Sequence, residues 1–256
     1  MGNALLVAWR AGTPERGTWQ PVCRLEHDGG LYRFVYTRGA TMLPGFRPFP
    51  QMENLEEVYD SDELFPEFAN RLLPKSRPEY EAFLQWGGFD PDNPPDPISL
   101  LGVTEGRRQT DSIEVFPCPV PDSAGCYLNK FFVHGLRWMP AASHERIARL
   151  AGGEKLYPMP DICNENDPEA VSLRTGDPDR VLVGYVPRYL ARDVRKLIGE
   201  CKPEFISVFA VRLNKDAPLQ QRLLCRMQTC WLPGFLPCDD EAFRPIPSGV
   251  TIRCPV

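Results

Sequence analysis

Prolines set the first limit on what this chain can become. There are 28 in 256 residues, about twice the usual share, and they gather in clusters. Leu43-Pro44-Gly45-Phe46-Arg47-Pro48-Phe49-Pro50 is barred from helix and from the middle of a sheet, because proline locks φ and has no N–H to donate. Pro117-Cys118-Pro119-Val120-Pro121-Asp122-Ser123-Ala124-Gly125 reads as a linker, and a third cluster fills the C-terminal tail. With 43% apolar and 25% charged residues, the stretches between can bury cores, which excludes generic disorder. The expected organisation is therefore two domains, 1–124 and 125–256, the second carrying a C-terminal extension.

Between the prolines, β pattern dominates. Leu5 to Trp9 is a short apolar run. Thr18 to Glu26 and Leu31 to Thr37 flank the turn His27-Asp28-Gly29-Gly30, and residues alternate along the second of them. Helix is expected next. Asp60 reads as the cap of a helix running through Leu64, Phe65, Phe68 and Leu72, Ser76-Arg77-Pro78-Glu79 as a second start closed by Gly87-Gly88, and Asp96-Pro97 as a third stopped by Gly102. Ser112 to Phe116 suits a closing strand. Beyond the linker, strands are expected at 128–133, 156–161, 170–174, 181–186 and 205–214. Helices are expected around 144–150 and 188–198, and a last apolar run spans 223–231. Short strands with two intercalated helices suit a small, partly open barrel of the oligonucleotide-binding (OB) type. The fold class is thus α+β, mostly β: a small N-terminal sheet with helices, then an OB-like barrel with two short helices.

Signatures of catalysis are missing from the sequence. There is no Gly-rich phosphate loop, no Gly-x-Ser-x-Gly elbow and no His-Glu-x-x-His. Nine cysteines form no Cys-x-x-Cys pair, and His27, His134 and His144 stand at no zinc-ligand spacing from them. They read as reduced thiols, and Asp239-Asp240-Glu241 as a solvated acidic loop. No cofactor or metal is expected. No run of about 18 apolar residues occurs, and the first ten residues lack the charged start of an export signal, so the expected setting is cytoplasmic with no membrane partner.

Three segments of the second half stand out. Gly135-Leu136-Arg137-Trp138 puts a guanidinium and an indole at a strand end. Cys163-Asn164-Glu165-Asn166-Asp167-Pro168-Glu169-Ala170 is an Asx-rich turn between strands. Val183-Gly184-Tyr185-Val186-Pro187-Arg188 is a strand leaving through proline into a helix. Taken singly, each has an ordinary reading: turn formers, core aromatics, a surface charge. In this order and spacing they resemble the HIRAN domain, found in fork-remodelling helicases and in bacterial proteins. Its pattern is Gly-Leu-Arg-aromatic, then Asn-x-x-Asp-x-x-Ala (here Asn164, Asp167, Ala170), then a strand ending in Gly (Gly184) before a Leu- and Ala-rich helix.

The resemblance implies an OB-like module that binds single-stranded DNA and, in the helicases, captures a free 3′ end. It gives Asp167 the 3′-hydroxyl, Trp138 a base to stack on, and Arg137 and Arg188 the phosphates. Asn164, Asn166 and Tyr185 complete the nucleic-acid-binding set. Two positions depart from the helicase pattern: Asn166 stands where those members carry an aromatic residue, and Tyr185 where a histidine is found. More weakly, Tyr32-Arg33-Phe34-Val35-Tyr36 and Leu64 to Pro74 resemble the N-terminal subdomain of HipA-type toxin kinases, which does no chemistry, and no kinase core follows.

The functional expectation is a non-enzymatic reader of single-stranded DNA or its 3′ end, in DNA repair, fork or genome-defence work. Its N-terminal domain is expected to dock a protein such as a helicase, nuclease or toxin kinase. A regulator of a HipA-like kinase and a DNA hydrolase are the alternatives. Net charge is −5, but residues 1–126 carry −8 and residues 131–215 carry +2. Acidity in the first half therefore does not weigh against nucleic acid at the second.

Overall fold

A computed structural model describes residues 4–11, 18–108 and 112–247. The chain gathers into two compact units. One takes Met1–Tyr80, Pro95–Val120 and Leu236–Val256, and the other takes Glu81–Pro94 and Pro121–Phe235.

The first unit is built on an antiparallel sheet of five strands, β1 (Ala4–Ala11), β2 (Thr18–Asp28), β3 (Leu31–Tyr36), β4 (Val58–Ser61) and β5 (Ile113–Pro117), in the order β4-β3-β2-β1-β5. The β2–β3 hairpin turns on Gly29 and Gly30, as the sequence suggests. Its core is aromatic. Phe34 is fully buried and its ring meets Tyr36, Phe49, Tyr59, Phe65 and Phe68. Tyr36 hydroxyl donates to Met52 O and accepts from the Phe49 N–H, both at 2.7 Å. The proline loop of residues 43–50 thereby becomes a wall of the core. Residues of the tail join this unit: Ile246 N–H donates to Tyr36 O at 2.9 Å.

Three helix expectations need correction. Asp60 caps no helix. It lies in β4 opposite Arg33, whose guanidinium holds its carboxylate at 2.8 and 2.9 Å. Helix starts only at Pro66, as the single turn α2 (Pro66–Ala69) after α1 (Gly39–Met42), because proline presets φ for the first helical position. Ser76 likewise caps nothing; α3 spans Tyr80–Trp86 and ends at Gly87-Gly88. Gly102 does not stop α4 (Pro97–Thr104), which runs on to a left-handed Glu105. The glycine is there for packing: a Cβ at Gly102 would stand 3.1 Å from a Leu5 methyl. Asp96 does cap α4, accepting the Ser99 N–H at 3.0 Å.

The second unit holds six strands: β6 (Cys126–Phe132), β7 (Lys155–Pro160), β8 (Val171–Thr175), β9 (Leu182–Tyr185), β10 (Ser207–Leu213) and β11 (Leu223–Cys230). Their order is β6-β11-β10-β7-β8-β9, every pair antiparallel. The two edges then meet. His134, just past β6, exchanges both backbone hydrogen bonds with Tyr185 of β9, at 2.9 and 3.0 Å. That one pair curls the sheet onto itself. Leu156, Leu173, Val183, Val208, Leu223 and Met227 fill the interior, and α5 (Ala141–Ile147) and α6 (Arg188–Glu200) complete the unit. Helix α6 runs past the expected end at 198, through Gly199 to Glu200. Tyr189, Leu190, Ala191, Val194 and Leu197 give it one buried face. The fold is α+β, mostly β, with a curled second sheet of the OB-like kind.

Candidate nucleic-acid interface

The barrel closure organises the site. Gly184 sits at φ 139, and a Cβ there would meet a Val133 methyl at 2.4 Å and His134 O at 2.8 Å. Only a bare backbone lets β9 approach the end of β6 this closely. Immediately after His134, Gly135 turns left-handed at φ 78 and starts a short 3-10 turn, Leu136–Trp138. The Tyr185 ring packs over Gly135, 3.0 Å from where a Cβ would stand. Two motifs about fifty residues apart in sequence are thus one structural device.

Arg137 and Trp138 emerge from that turn. Leu136 is buried, whereas Trp138 is 69% exposed and carries the Arg137 guanidinium 4.8 Å from its ring centre. The ordinary reading of Trp138 as a core aromatic does not hold: its apolar face is presented to solvent with a cation over it.

The loop between β7 and β8 is wired to the same place. Asn164 Oδ1 accepts the N–H groups of Asn166 and Asp167, each at 3.0 Å, and its amide nitrogen lies 3.4 Å from Asp161 Oδ2. Tyr185 hydroxyl donates to the same Asp161 oxygen at 3.0 Å. Burial pushes the Tyr185 phenol up, and the Asp161 carboxylate adds to this, so the hydroxyl stays a donor. Asp167 Oδ1 accepts the Glu169 N–H at 3.0 Å, and Oδ2 faces Arg188 Nε at 3.5 Å. Arg195 braces the loop through Pro168 O and Glu169. The structure therefore links Tyr185, Asn164, Asn166, Asp167 and Arg188 by side-chain and backbone contacts. It places Arg137 and Trp138 on the turn beneath the Tyr185 ring. Asn166 contributes only its backbone N–H and leaves its side chain exposed.

Asp161 is the residue that sequence reasoning missed. It reads as the last residue of a strand, and only tertiary folding brings it under the Tyr185 hydroxyl.

A second feature was also hidden. On the outer face of the sheet, Lys130, Arg226, Phe209 and Lys155 stand in direct cross-strand opposition over β6, β11, β10 and β7. One step along β7, Tyr157 lies opposite Arg174, with Lys155 Nζ 5.4 Å from the Tyr157 ring centre. One step further, Met159 is opposite Ser172 and Ser172 opposite Tyr185. Four cations and two aromatic rings thus form a row that ends at the Tyr185 site, and no acidic residue occupies these positions. Period-two alternation shows which residues face outward, but the register between strands about a hundred residues apart is not written in either strand. Among the described residues, no group of three or more His, Cys, Asp or Glu is arranged to hold a metal ion, and no helix is long and apolar enough to cross a membrane.

Residues 128–228 match the HIRAN domain. The HIRAN region contains β6 to β11 almost whole and every residue of the site. Among solved structures, a protein from Lactobacillus plantarum is 17% identical over 41% of this chain and 97% of its own, with a TM-score of 0.32. The HIRAN domain of human HLTF is 14% identical over 42% of this chain and 81% of its own, with a TM-score of 0.30. No curated protein matches the chain. The family match lies wholly in the second half, and the HipA-type likeness of the first half remains a resemblance of motifs.

Proposed function

We propose that the HIRAN region binds single-stranded DNA, holding a 3′ end at the Asp167 loop and leading the strand away across the sheet's outer face. The observation that carries this reading is the continuity of two chemistries. A polar, hydroxyl-matched corner formed by Asp161, Asn164, Asp167 and Tyr185 adjoins a row of cations and aromatic rings. A terminal 3′-hydroxyl donates to the Asp167 carboxylate, whereas an anionic phosphate at that place meets a like charge. Arg188 softens that repulsion, so it favours phosphate binding at some cost in end selectivity. Trp138 supplies a stacking surface for one base, and Arg137 a phosphate contact. Lys130, Arg226, Lys155 and Arg174 serve the following phosphates, with Tyr157 and Phe209 between them. Stacking and backbone contacts are indifferent to base sequence, so the reader has an end and a track but no code.

No catalytic role is assigned to any of these residues. Function divides between the two units: the HIRAN region of the second reads nucleic acid, and the first docks a protein partner such as a helicase, nuclease or toxin kinase, in cytoplasmic DNA repair, fork or defence work. Fluorescence anisotropy with oligonucleotides ending in 3′-hydroxyl or 3′-phosphate tests the reading. Binding tighter than about 10 μM is expected at low salt, where phosphate contacts are strongest, and Asp167→Ala should erase any preference for the hydroxyl end. Arg188→Ala should weaken both ligands yet widen the difference between them. If neither oligonucleotide binds, the reading fails; capture of a protein with no nucleic acid would then favour an interaction role.

A further inference from the structure

The β6–β11 ladder carries a pair that nucleic-acid binding does not use. Cys126 and Cys230 stand directly opposite each other. Two backbone bonds at the ends of the ladder fix its phase. Trp231 N–H donates to Gly125 O at 3.1 Å, and Val133 N–H to Leu223 O at 2.9 Å. Both belong to the odd-numbered residues of this stretch, so the even-numbered pairs, Cys126 with Cys230 among them, are the non-hydrogen-bonded ones. Such pairs bring Cα atoms to about 4.5 Å and side chains closest together, within the roughly 4.4–6.8 Å that a disulfide spans.

Both residues also reach solvent, Cys230 exposed and Cys126 half-buried with its Sγ 3.9 Å from Ala124 O. Cys126 is held in place by a tight turn. Asp122 Oδ1 accepts its N–H and its carbonyl accepts the Asp122 N–H, both at 2.9 Å. The neighbouring Tyr127 is buried against the rings of Trp231 and Phe235. An unfastened edge would let the two sulfurs drift apart; here both strand ends are pinned.

We propose that Cys126 and Cys230 form a reversible cross-strand disulfide by exchange with a small-molecule disulfide of the glutathione class. One thiolate attacks a sulfur of the oxidised tripeptide, its S–S bond breaks, and one reduced tripeptide leaves. The opposite thiolate then attacks the protein sulfur of the mixed disulfide and expels the second. Two protein thiols lose two electrons, one small disulfide gains them, and the two thiol protons end on the released thiols. Cys23 and Cys225 are fully buried, and burial pushes both thiols up, so neither offers a thiolate to this exchange. The bond would fasten the strand that begins just after the chain enters the second unit to the strand that ends just before it leaves.

The test uses the full chain incubated with oxidised glutathione and then mapped by mass spectrometry without reduction. The expected result is one peptide pair joining residues 126 and 230, abolished by dithiothreitol, with Cys163 recovered as a glutathione adduct. Cys126→Ser and Cys230→Ser should each lose the link and leave the surviving cysteine glutathionylated, while Cys163→Ser should retain it. Cys126 and Cys230 each recovered only as separate adducts, or a link from either to Cys163, overturns the proposal. The wild-type map decides this whether or not a variant folds, and it does not depend on nucleic-acid binding.

Discussion

The sheets of the two units differ in where their charged and aromatic residues go, although the second unit too has ion pairs at its loops (Arg146 with Asp177, Arg195 with Glu169) and a buried Tyr127. In the first, aromatic rings turn inward around Phe34, and arginines meet carboxylates at short range. Arg71, its side chain wholly buried, reaches Glu67 at 2.6 Å, and Glu114, nearly buried, is shared by Arg10 at 2.8 Å and Arg107 at 2.7 Å. In the second, Trp138, Tyr157 and Met159 stay exposed, and the cations along the sheet face solvent. Charge satisfied within a unit stabilises it and leaves little for a ligand. Charge held on an open face with apolar rings beside it is chemistry in search of a polyanion with flat bases. The contrast sets a unit whose rings and many of whose charges are spent on its own packing beside one whose sheet leaves cations and rings exposed.

Substitution at the centre of the first core should have the largest effect. Phe34→Ala is expected to remove about 3–5 kcal/mol from the first unit, read as lost hydrogen-exchange protection in β1 to β5. Oligonucleotide affinity should be unchanged, and an equal loss of affinity would dissolve the contrast. Trp138→Ala should do the reverse. The lost stack, about 1–3 kcal/mol, weakens single-strand binding by about five- to a hundred-and-fortyfold at 1.4 kcal/mol per decade. The melting temperature should barely move, because the indole packs into no core. Removing the charges of the row, Lys130→Gln with Arg226→Gln, should lower the salt slope of binding by about 0.7 for each phosphate no longer neutralised. That change should appear with long oligonucleotides and vanish with dinucleotides that reach only the end site. A slope that is the same for both lengths would remove the row from the footprint.

The smallest effect is in acid. Burial raises the Asp96 carboxyl, but the Ser99 hydroxyl and the backbone N–H groups at the start of α4 outweigh it and hold the group below the ordinary Asp value. A carboxyl lowered in the folded state contributes stability above its unfolded value, and that contribution is lost as pH falls through the lower folded one. Asp96→Ala, which also removes the cap, should cost about 0.5–2 kcal/mol at neutral pH. The difference from wild type should shrink as denaturation curves are taken into acid, whereas a constant difference would mean that the carboxylate charge plays no part.

Most strands were legible because alternation and the Gly29-Gly30 turn leave marks that short windows preserve. Apart from the Asp96 cap, the helix limits of the first unit were not. Asp60 has the look of a cap, but cross-strand Arg33 offers it a bidentate partner, and the strand outcompetes the helix. Gly102 has the look of a stop, but the approach of Leu5 needs a position without a side chain. In the site, Gly135, Asn164, Asp167 and Gly184 were visible through the family pattern; the first three serve their own turns, whereas the reason for Gly184, the approach of Val133 and His134, appears only in the fold. Asp161 and the outer row were not, since each depends on a partner supplied by a remote strand.

By itself, the sequence determined a mostly β chain, broken by proline, with its acidity confined to the first half and a HIRAN-like motif in the second. The β pattern, the proline breaks and the charge division follow from local geometry and composition, whereas the motif is a family resemblance carried by the order and spacing of three segments, each ordinary by itself. Only the tertiary structure decided that His134 and Tyr185 close the barrel, that Asp161 answers the Tyr185 hydroxyl, and that Lys130, Arg226, Phe209 and Lys155 form one row. Register between distant strands is fixed by burying all the inward faces at once, and no single segment holds that information.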